Sequence, residues 1–451
     1  GIAHRALRPT LGIIDPDKGF NFPDGLTKVT ADVEWPESGN GPVDPVQSPR
    51  YHPSGRYQAY YSPYPLSEED FLVSANRGGK FVLYLMDVDG NRELIYEGVY
   101  NIFHAMPLAS RPRPPVLVDR VDWPSRKDRD QPKDGVIYSA NVYYGAPPEL
   151  EGKARFLRIL NIEHKTYTYW HRRPYISTGP VVSAVQSEGV KRILGTVPIE
   201  SDGSVLFCAP SGLPLHFQLL DAEGRALQTM RSFVGVMPGE MRGCLGCHES
   251  HSRTPPLRTG LALRREPSRI TPPPWGDESI SYGRFVQPVL NQYCGKCHQG
   301  EGEARKVLDL TERPGFLHFT EPYLTLIGRP TWGQPYQAPP NPPPGWGIAD
   351  MIMVEAYNQR DPAAYRTPPP MTKLSYRSRL VEICSSGRHY DVRVDPVSLQ
   401  RIIAWVDAMC PFWGSEEVRQ EPDPVFQGVD WLAIRPRVKT APTIRRPGPV
   451  D

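Results

Sequence analysis

Short apolar segments separated by turn residues fill the first part of the chain. Residues 71–73, 81–86 and 93–96 are strand-like runs, and the turn at residues 87–91 predicts a hairpin because Gly90 and Asn91 accept a positive φ. Residues 1–120 therefore predict antiparallel β structure. The spacing of these runs resembles the end of a β-propeller, which needs more blades than this length holds, so we expect a further segment or another chain to complete it.

The alternation of strands and turns continues through residues 121–273. Strand-like runs occupy residues 135–138, 154–160, 205–208 and 215–219. Residues 221–224, which end in glycine, predict a hairpin turn before the next run at 226–230. We interpret this part of the chain as a β-sandwich-like middle domain that leads directly into a cysteine-rich motif.

Helical periodicity replaces this pattern in residues 274–451. Apolar residues at 282, 285, 289 and 293 share one helical face, although Pro288 is expected to bend that helix. A second helix is predicted after Asp395, which can cap it, because Pro396 suits the first helical position and residues 399, 402, 403 and 406 form an apolar stripe. The predicted fold class is mainly β with a small α-helical, cytochrome c-like C-terminal domain.

Composition limits the classes of partner. The 52 lysine and arginine residues nearly balance the 50 aspartate and glutamate residues of this 451-residue chain, so no strong field is available to bind nucleic acid. No apolar run approaches the ~20 residues that span a bilayer. Without a recognisable signal segment, we expect a processed, soluble protein with no transmembrane segment. The 52 prolines include clusters that are expected to mark loops and boundaries.

Two five-residue motifs carry the chemistry of the chain. Cys244-Leu245-Gly246-Cys247-His248 and Cys294-Gly295-Lys296-Cys297-His298 both have the spacing of covalent haem attachment. Each thiol of a pair can bond one vinyl group of the porphyrin, and the following imidazole then lies beneath the ring as the proximal iron ligand. A zinc ribbon also uses paired cysteines, but its pairs lie closer together and need no histidine after each. The sequence therefore predicts two covalently bound haems c.

The ligand on the far side of the second haem has three candidates. His389 is favoured over His318 and Met371. Met371 follows three prolines, which is typical of a loop packing residue, and His318 lies between two apolar residues, as a core or surface histidine does. For the first haem the sequence identifies no sixth ligand.

Other polar residues surround the first motif. His251 lies three residues beyond His248, too near for both imidazoles to bind one iron from opposite faces. His251 is therefore either a loop residue or a ligand, on the same side, for the iron or for an additional metal ion. Glu240 and Glu249 could serve as proton donors to a haem-bound substrate, or they could be ordinary structural carboxylates.

Three cysteines lie outside the motifs. Cys384 and Cys410 bracket the final predicted helix, which predicts a disulfide, with two buried thiols as the alternative. Cys208 lies in a strand-like run and is expected to be a small buried side chain rather than a zinc ligand.

At these motifs the sequence resembles the hydrazine synthase alpha subunit family. The residues that carry the resemblance are 65–68 and 90–96 for the end of the propeller, 198–204 and 230–248 for the middle domain, and 285–290, 375–380 and 389–392 for the cytochrome domain. The resemblance implies one haem in the middle domain and a bis-histidine haem, held by His298 and His389, in the C-terminal domain. In the family's enzyme a tyrosine just after the first motif holds the iron. Here that position is Ser252, so we expect His248 to hold it.

Two functions are compatible with these features. In the first, a periplasmic or extracellular dihaem c-type cytochrome transfers electrons to other cytochrome or redox subunits. In the second, the protein is a haem enzyme. The iron of its first haem keeps an open coordination position for a small nitrogen or oxygen species, while the second haem relays electrons. We favour the first, because the sequence identifies neither a distal acid nor a substrate pocket.

Overall fold

The computed structural model describes most of the chain. The described residues are 11–18, 25–30, 60–110, 115, 117–166, 180–184, 189–230, 232–246, 259–328, 345–350, 368–420, 427–431 and 433–441. They belong to two compact units. The first unit contains the chain up to Val118, and the second contains the described residues from Asp119 onward.

The first unit is built on an antiparallel sheet. Its strands are β1 (Gly12–Ile14), β2 (Leu26–Lys28), β3 (Tyr60–Pro65), β4 (Asp70–Arg77), β5 (Lys80–Asp87) and β6 (Arg92–Tyr96). Strands β3 to β6 pair in chain order, and β1 pairs with β2. Asp87 fixes the predicted hairpin, because its Oδ1 accepts hydrogen bonds from the N–H groups of Asp89 and Asn91, and Gly90 has a φ of 88°. This hairpin prediction is confirmed.

The second unit begins with two further sheets. Its strands are β7 (Gly135–Ser139), β8 (Phe156–Ile162), β9 (Lys191–Pro198), β10 (Val205–Ala209), β11 (Leu215–Leu220), β12 (Ala226–Thr229) and β13 (Met241–Cys244). One sheet has the order β10-β7-β13, with β13 parallel to β7, and the other has the antiparallel order β12-β11-β8-β9. The predicted turn at Asp221 is confirmed, since its Oδ1 accepts from the N–H groups of Glu223 and Arg225.

These two sheets share one hydrophobic core. Ile137 and Phe207 from the first sheet are buried in the same cluster as Ile159, Val197 and Leu219 from the second. The core explains why the strands alternate between buried and partly exposed residues, as β7 and β9 do. Strand β13 ends at Cys244, so this core positions the start of the first motif.

Helices follow in the second half of the second unit. They are α1 (Gln287–Tyr293), α2 (Gly295–His298), α3 (Glu303–Val307), α4 (Glu321–Ile327), α5 (Arg379–Ser386), α6 (Pro396–Asp407) and α7 (Ser415–Val418). A π-helical turn, Tyr282–Val286, precedes α1 and places Pro288 near the start of that helix, where no N–H is needed. Helix α6 begins as predicted, with Asp395 accepting from the N–H groups of Val397 and Ser398.

The helices and the middle sheets are packed together. Leu160 and Ile193 of β8 and β9 belong to the same buried cluster as Tyr282, Leu290 and Trp405 of the helical part. The strands and helices together confirm the prediction of a mainly β fold with few helices. None of the helices in the described parts of the chain is long and apolar enough to cross a membrane.

A buried ion pair also joins the middle sheets to the helices. Arg158 of β8 lies with its Nη1 2.7 Å from Oδ2 of Asp407, the last residue of α6. The same guanidinium donates to Gln218 Oε1 and to the Gly224 carbonyl, and Gln218 in turn donates to the Asp407 backbone carbonyl. Burial raises the pKa of the Asp407 carboxyl, while the Arg158 guanidinium opposes that rise.

Candidate cofactor site formed by His298 and His389

The second motif lies on a helical turn that continues from α1. The N–H of Cys294 donates to the Leu290 carbonyl at 2.8 Å, and the N–H of His298 donates to the Cys294 carbonyl at 2.9 Å. This path places the two thiols about one helical turn apart. Cys294 is half-buried against the helical core, whereas Cys297 is exposed. The pair therefore presents one thiol at the core and one at the surface, from the same short segment.

The ring of His298 is held in one tautomer. Its Nδ1 lies 2.8 Å from the Leu308 carbonyl oxygen. A carbonyl can only accept, so Nδ1 carries the proton and donates it. The backbone of His298 is fixed as well, because its carbonyl accepts from the Leu310 N–H at 3.0 Å. The arrangement leaves Nε2 as the lone-pair nitrogen, which is the form of histidine that binds a metal ion.

His389 reaches the same place from the loop between α5 and α6. Gly387 ends α5 in the left-handed region, with a φ of 68°, and Tyr390 and Asp391 have φ values of 49° and 57°. The His389 carbonyl accepts from the Val392 N–H at 3.0 Å, which closes the loop. Burial lowers the pKa of His389, and the nearby His298 and Arg379 lower it further, which favours the neutral imidazole.

The two imidazoles lie close together and nearly parallel, at a centroid distance that is compatible with one metal ion between them. Their ring centroids lie 6.1 Å apart and the ring planes differ by 18°. Metal–imidazole bonds are about 2.0 Å long and a ring centroid lies about 1.1 Å behind its nitrogen, so two axial imidazoles would have centroids about 6.2 Å apart. Other nearly parallel ring pairs in this protein lie 3.8 Å apart, as His318 and Trp413 do, or 5.9 Å apart, as Tyr282 and Phe412 do.

The structure places His318 elsewhere. Its ring stacks on Trp413 and lies close to Phe319 and Phe412, within an aromatic cluster of the helical core. Burial lowers the pKa of His318 to about 4, so the ring is neutral at ordinary pH. His318 therefore has the environment of a core histidine, which was the alternative interpretation of its sequence.

Met371 is also engaged away from the pair. Its N–H donates to the Leu227 carbonyl at 2.7 Å, its sulfur accepts from Lys153 Nζ at 3.5 Å, and its side chain packs against the middle core. Met371 has a φ of 61°, which agrees with its position after three prolines in a loop. Of the three candidate ligands, only His389 lies opposite His298.

The first motif is described only in part. Cys244 is half-buried at the end of β13, where it pairs with Ser139 of β7, and it packs against the middle core. Gly246 approaches the backbone so closely that an added Cβ would lie 2.4 Å from the Tyr144 carbonyl oxygen. Cys247, His248, Glu249 and His251 lie outside the described residues, so the predictions for them stay predictions.

Glu240 has a structural environment. Its carboxylate accepts from the Met237 N–H at 2.8 Å and from Arg242 at 3.2 Å. The hydrogen bond from Met237 lowers the pKa of Glu240, and Arg242 lowers it further. An ionised carboxylate has no proton to give at neutral pH, so the interpretation of Glu240 as a proton donor is disfavoured.

The remaining cysteines do not pair. Cys384 and Cys410 are both free thiols buried in the helical core, so the predicted disulfide between them is wrong and its alternative is correct. Their surroundings differ. Burial raises the pKa of Cys384 to about 12, with Cys294 nearby, whereas Cys410 is near Asp407 and Lys191. Cys208 is half-buried in β10 and also free.

Sequence reasoning missed one buried histidine and the ion pair. His216 of β11 bonds the Ser232 carbonyl through Nδ1 and Thr229 Oγ1 through Nε2, both at 3.0 Å. Burial lowers the pKa of His216 to about 4, and the nearby Lys191 contributes to the shift. Its sequence signal is only that of a polar residue in a strand. Within the described residues, no group of three or more metal-binding side chains is found.

Comparisons with known proteins agree with the predicted resemblance. Residues 152–249 match the model of the hydrazine synthase alpha subunit middle domain. The hydrazine synthase of Kuenenia stuttgartiensis has a similar fold, with a TM-score of 0.54 and 15% sequence identity over 78% of this chain. The match covers 55% of that chain, so this sequence spans about half the length of its solved relative. No curated protein matches. The predicted resemblance is confirmed.

Proposed function

We propose that the chain is a dihaem c-type cytochrome that transfers electrons, related to the hydrazine synthase alpha subunits whose middle domain residues 152–249 match. Cys294 and Cys297 would attach the second haem, with His298 and His389 as its axial ligands. Cys244 and Cys247 would attach the first haem, with His248 as its proximal ligand. The domain at 274–451 would then be the cytochrome c-like one, and residues 1–120 the end of a propeller.

The observation that carries this proposal is the opposed pair of imidazoles. Two histidines 91 positions apart in the sequence lie with ring centroids 6.1 Å apart and nearly parallel. One of them follows directly after two thiols that are one helical turn apart. Packing of the two rings alone would not explain the thiols beside them, whereas a shared haem accounts for both features.

The residues around the pair suit an electron carrier. When bound, haem supplies a one-electron Fe(III)/Fe(II) couple. The bond from Nδ1 to the Leu308 carbonyl directs Nε2 of His298 away from the backbone, and the loop at His389 is closed by the Val392 N–H. With both axial positions taken by imidazole, the second haem would have no position for a substrate, which favours electron transfer over catalysis at that site.

A second candidate function concerns the first haem. The matched residues end at that motif, and the domain they match is named for a subunit of hydrazine synthase. This match supports an enzyme that acts on a small nitrogen or oxygen species at the first haem, with the second haem as the relay. His251 would then be a loop residue or a ligand for the iron or for an additional metal ion. A high-spin ferric signal from the first haem would favour this function over plain electron transfer.

Partners and location complete the proposal. The matching family is named for a subunit, which supports association with other cytochrome or redox subunits. A further chain or segment would complete the propeller beside β3 to β6. We propose a periplasmic or extracellular location for the protein. The near balance of charge gives no support for a nucleic-acid partner.

The test begins with the number of haems. The intact protein, extracted with acid and acetone, should exceed its polypeptide mass by two haems. Substituting His389 with alanine should then convert one haem from low-spin to high-spin in the ferric electronic and EPR spectra, since one axial position opens. The matched control is His318→Ala, which removes a partly buried histidine of the same helical part and should leave the low-spin signal unchanged.

Two results would contradict the proposal. A mass equal to the polypeptide alone would exclude covalent haem. An unchanged low-spin spectrum in His389→Ala, with a changed one in His318→Ala, would move the sixth ligand to His318. The first result concerns the cofactor and the second concerns only the ligand, so they are distinguishable.

A further inference from the structure

The segment that leads to His389 is attached to the middle sheets. Ser375, which is buried, accepts a hydrogen bond at its Oγ from the Ala226 N–H of β12 at 2.8 Å. Four residues earlier in the chain, the Met371 N–H donates to the Leu227 carbonyl of the same strand at 2.7 Å. These contacts run along β12, so this loop lies on the edge of the middle sheet for several residues.

Side chains strengthen this attachment. Leu374 is buried in a small cluster with Leu220 and Ala226 from the middle sheet. The guanidinium of Arg225 lies over the ring of Tyr376, 5.0 Å from its centroid. An apolar contact and a cation–π contact therefore flank Ser375 on either side in the sequence.

The same segment is tied to the buried ion pair. The Ser375 N–H donates to Asp407 Oδ1 at 3.0 Å, while Asp407 Oδ2 accepts from Arg158. Ser375 thus links β12 and the end of α6 through one residue, and its side chain is as buried as that of Asp407. Every polar partner in this network is satisfied within the protein, which favours one fixed arrangement.

Little chain separates this anchor from His389. Ser378 caps α5 by accepting from the Val381 N–H, and α5 runs from Arg379 to Ser386, a length of about 12 Å. Gly387 then ends the helix and His389 follows. A displacement of residues 374–378 would be transmitted by this short, rigid helix to the loop that carries His389.

We propose that Ser375 is a positioning residue: by binding β12 and Asp407 at once, it lets the middle sheets set the position of His389 opposite His298. This inference rests on the proposed function, because it assigns the control of the second haem's sixth ligand. It means that the coordination of the second haem depends on the domain that carries the first. A change in the middle domain would then alter electron transfer at the second haem without touching its ligands.

The experiment measures how readily the sixth ligand is displaced. The haem-loaded, full-length protein is mixed with cyanide in the ferric state, and His389→Ala defines the signal of an open second haem. Ser375→Ala removes the acceptor of the Ala226 N–H. It should make cyanide binding at the second haem about tenfold tighter or faster, the change expected when one buried hydrogen bond is lost from the closed state. Both haems should remain attached by mass.

A control and a second variant keep the result interpretable. Ser183→Ala removes another buried serine hydroxyl, which donates to the Met409 carbonyl at 3.0 Å and to the Cys410 carbonyl at 3.2 Å, so cyanide binding should stay as in the wild type. If Ser375→Ala does not fold, the double variant Arg158→Met/Asp407→Leu replaces the ion pair by apolar side chains and removes the acceptor of the Ser375 N–H. It should show the same gain.

The outcomes separate the two proposals. Two haems with unchanged cyanide binding in both Ser375→Ala and the double variant would overturn the positioning role and leave the electron-transfer proposal standing. A wild-type protein without covalent haem would overturn both. Equal gains in Ser375→Ala and Ser183→Ala would show general loosening, and would also overturn the specific role of Ser375.

Discussion

Replacing Arg158 with methionine should strongly destabilise the second unit. The guanidinium Nη1 lies 2.7 Å from Asp407 Oδ2, and the two side chains are 7% and 0% exposed. Removing one partner of such a pair leaves an uncompensated buried charge, which costs about 3–5 kcal/mol of the free energy of unfolding. Asp407 would keep only the Ser375 N–H as a donor to its carboxylate among the bonds described above. The penalty therefore comes from the remaining carboxylate.

The double variant Arg158→Met/Asp407→Leu tests that origin. Two apolar side chains in place of a buried ion pair are often neutral for stability. Here the Ser375 N–H would lose its acceptor, which costs about 1–3 kcal/mol. The double variant should therefore be less stable than the wild type but more stable than Arg158→Met by about 1–2 kcal/mol.

Thermal unfolding followed by circular dichroism measures both effects. For a unit of this size, each kcal/mol shifts Tm by about 2–4 °C, so Arg158→Met should lower Tm by about 10 °C. The matched control is Arg265→Met, which breaks a half-exposed pair with Glu200 of similar length and should cost about 0–1 kcal/mol. If the double variant unfolds no later than Arg158→Met, the buried carboxylate is not the source of the loss.

Two further predictions follow from the middle domain. His216 has a pKa of about 4 when folded, below its unfolded value of 6.5, so the free energy of unfolding should fall by up to about 3 kcal/mol as the pH drops from 6.5 to 4. Urea unfolding should show that the free energy of unfolding of His216→Gln depends less on pH over that window. Gly246→Ala would place a Cβ 2.4 Å from the Tyr144 carbonyl oxygen, so intact mass should show loss of the first haem, while Gly243→Ala, which meets open space, should retain two.

Local sequence signals were sufficient to predict the two hairpins and helix α6. Asp87 and Asp221 each bind the backbone of the turn that follows, and Asp395 caps α6, so those elements depend on residues a few positions apart. The spacing of Cys294, Cys297 and His298 predicts covalent haem attachment, and this stays a prediction. The predicted domain boundary at residue 274 stays a prediction. Such a boundary depends on packing, and the helices share a buried cluster with β8 and β9.

Contacts between distant residues could not be predicted in the same way. Arg158 and Asp407 are 249 positions apart, and nothing in either local sequence distinguishes a buried partner from a solvated one. The disulfide prediction was wrong for the same reason. Cys384 and Cys410 bracket one helix, but the fold directs them to different neighbours, Cys294 for one and Asp407 for the other.

The same network bears on how the proposed second haem site would be formed. The motif supplies His298 and both thiols from one turn, but the opposing ligand comes from a loop whose approach is set by Ser375 and by β12 of the middle sheet. A single-domain cytochrome holds its sixth ligand through its own core. Here the described contacts of Ser375 add an attachment to β12, outside the helical part. The buried ion pair between Arg158 and Asp407 holds Ser375 in place through the Asp407 carboxylate. Electron transfer at the second site would therefore depend on the middle domain as a scaffold.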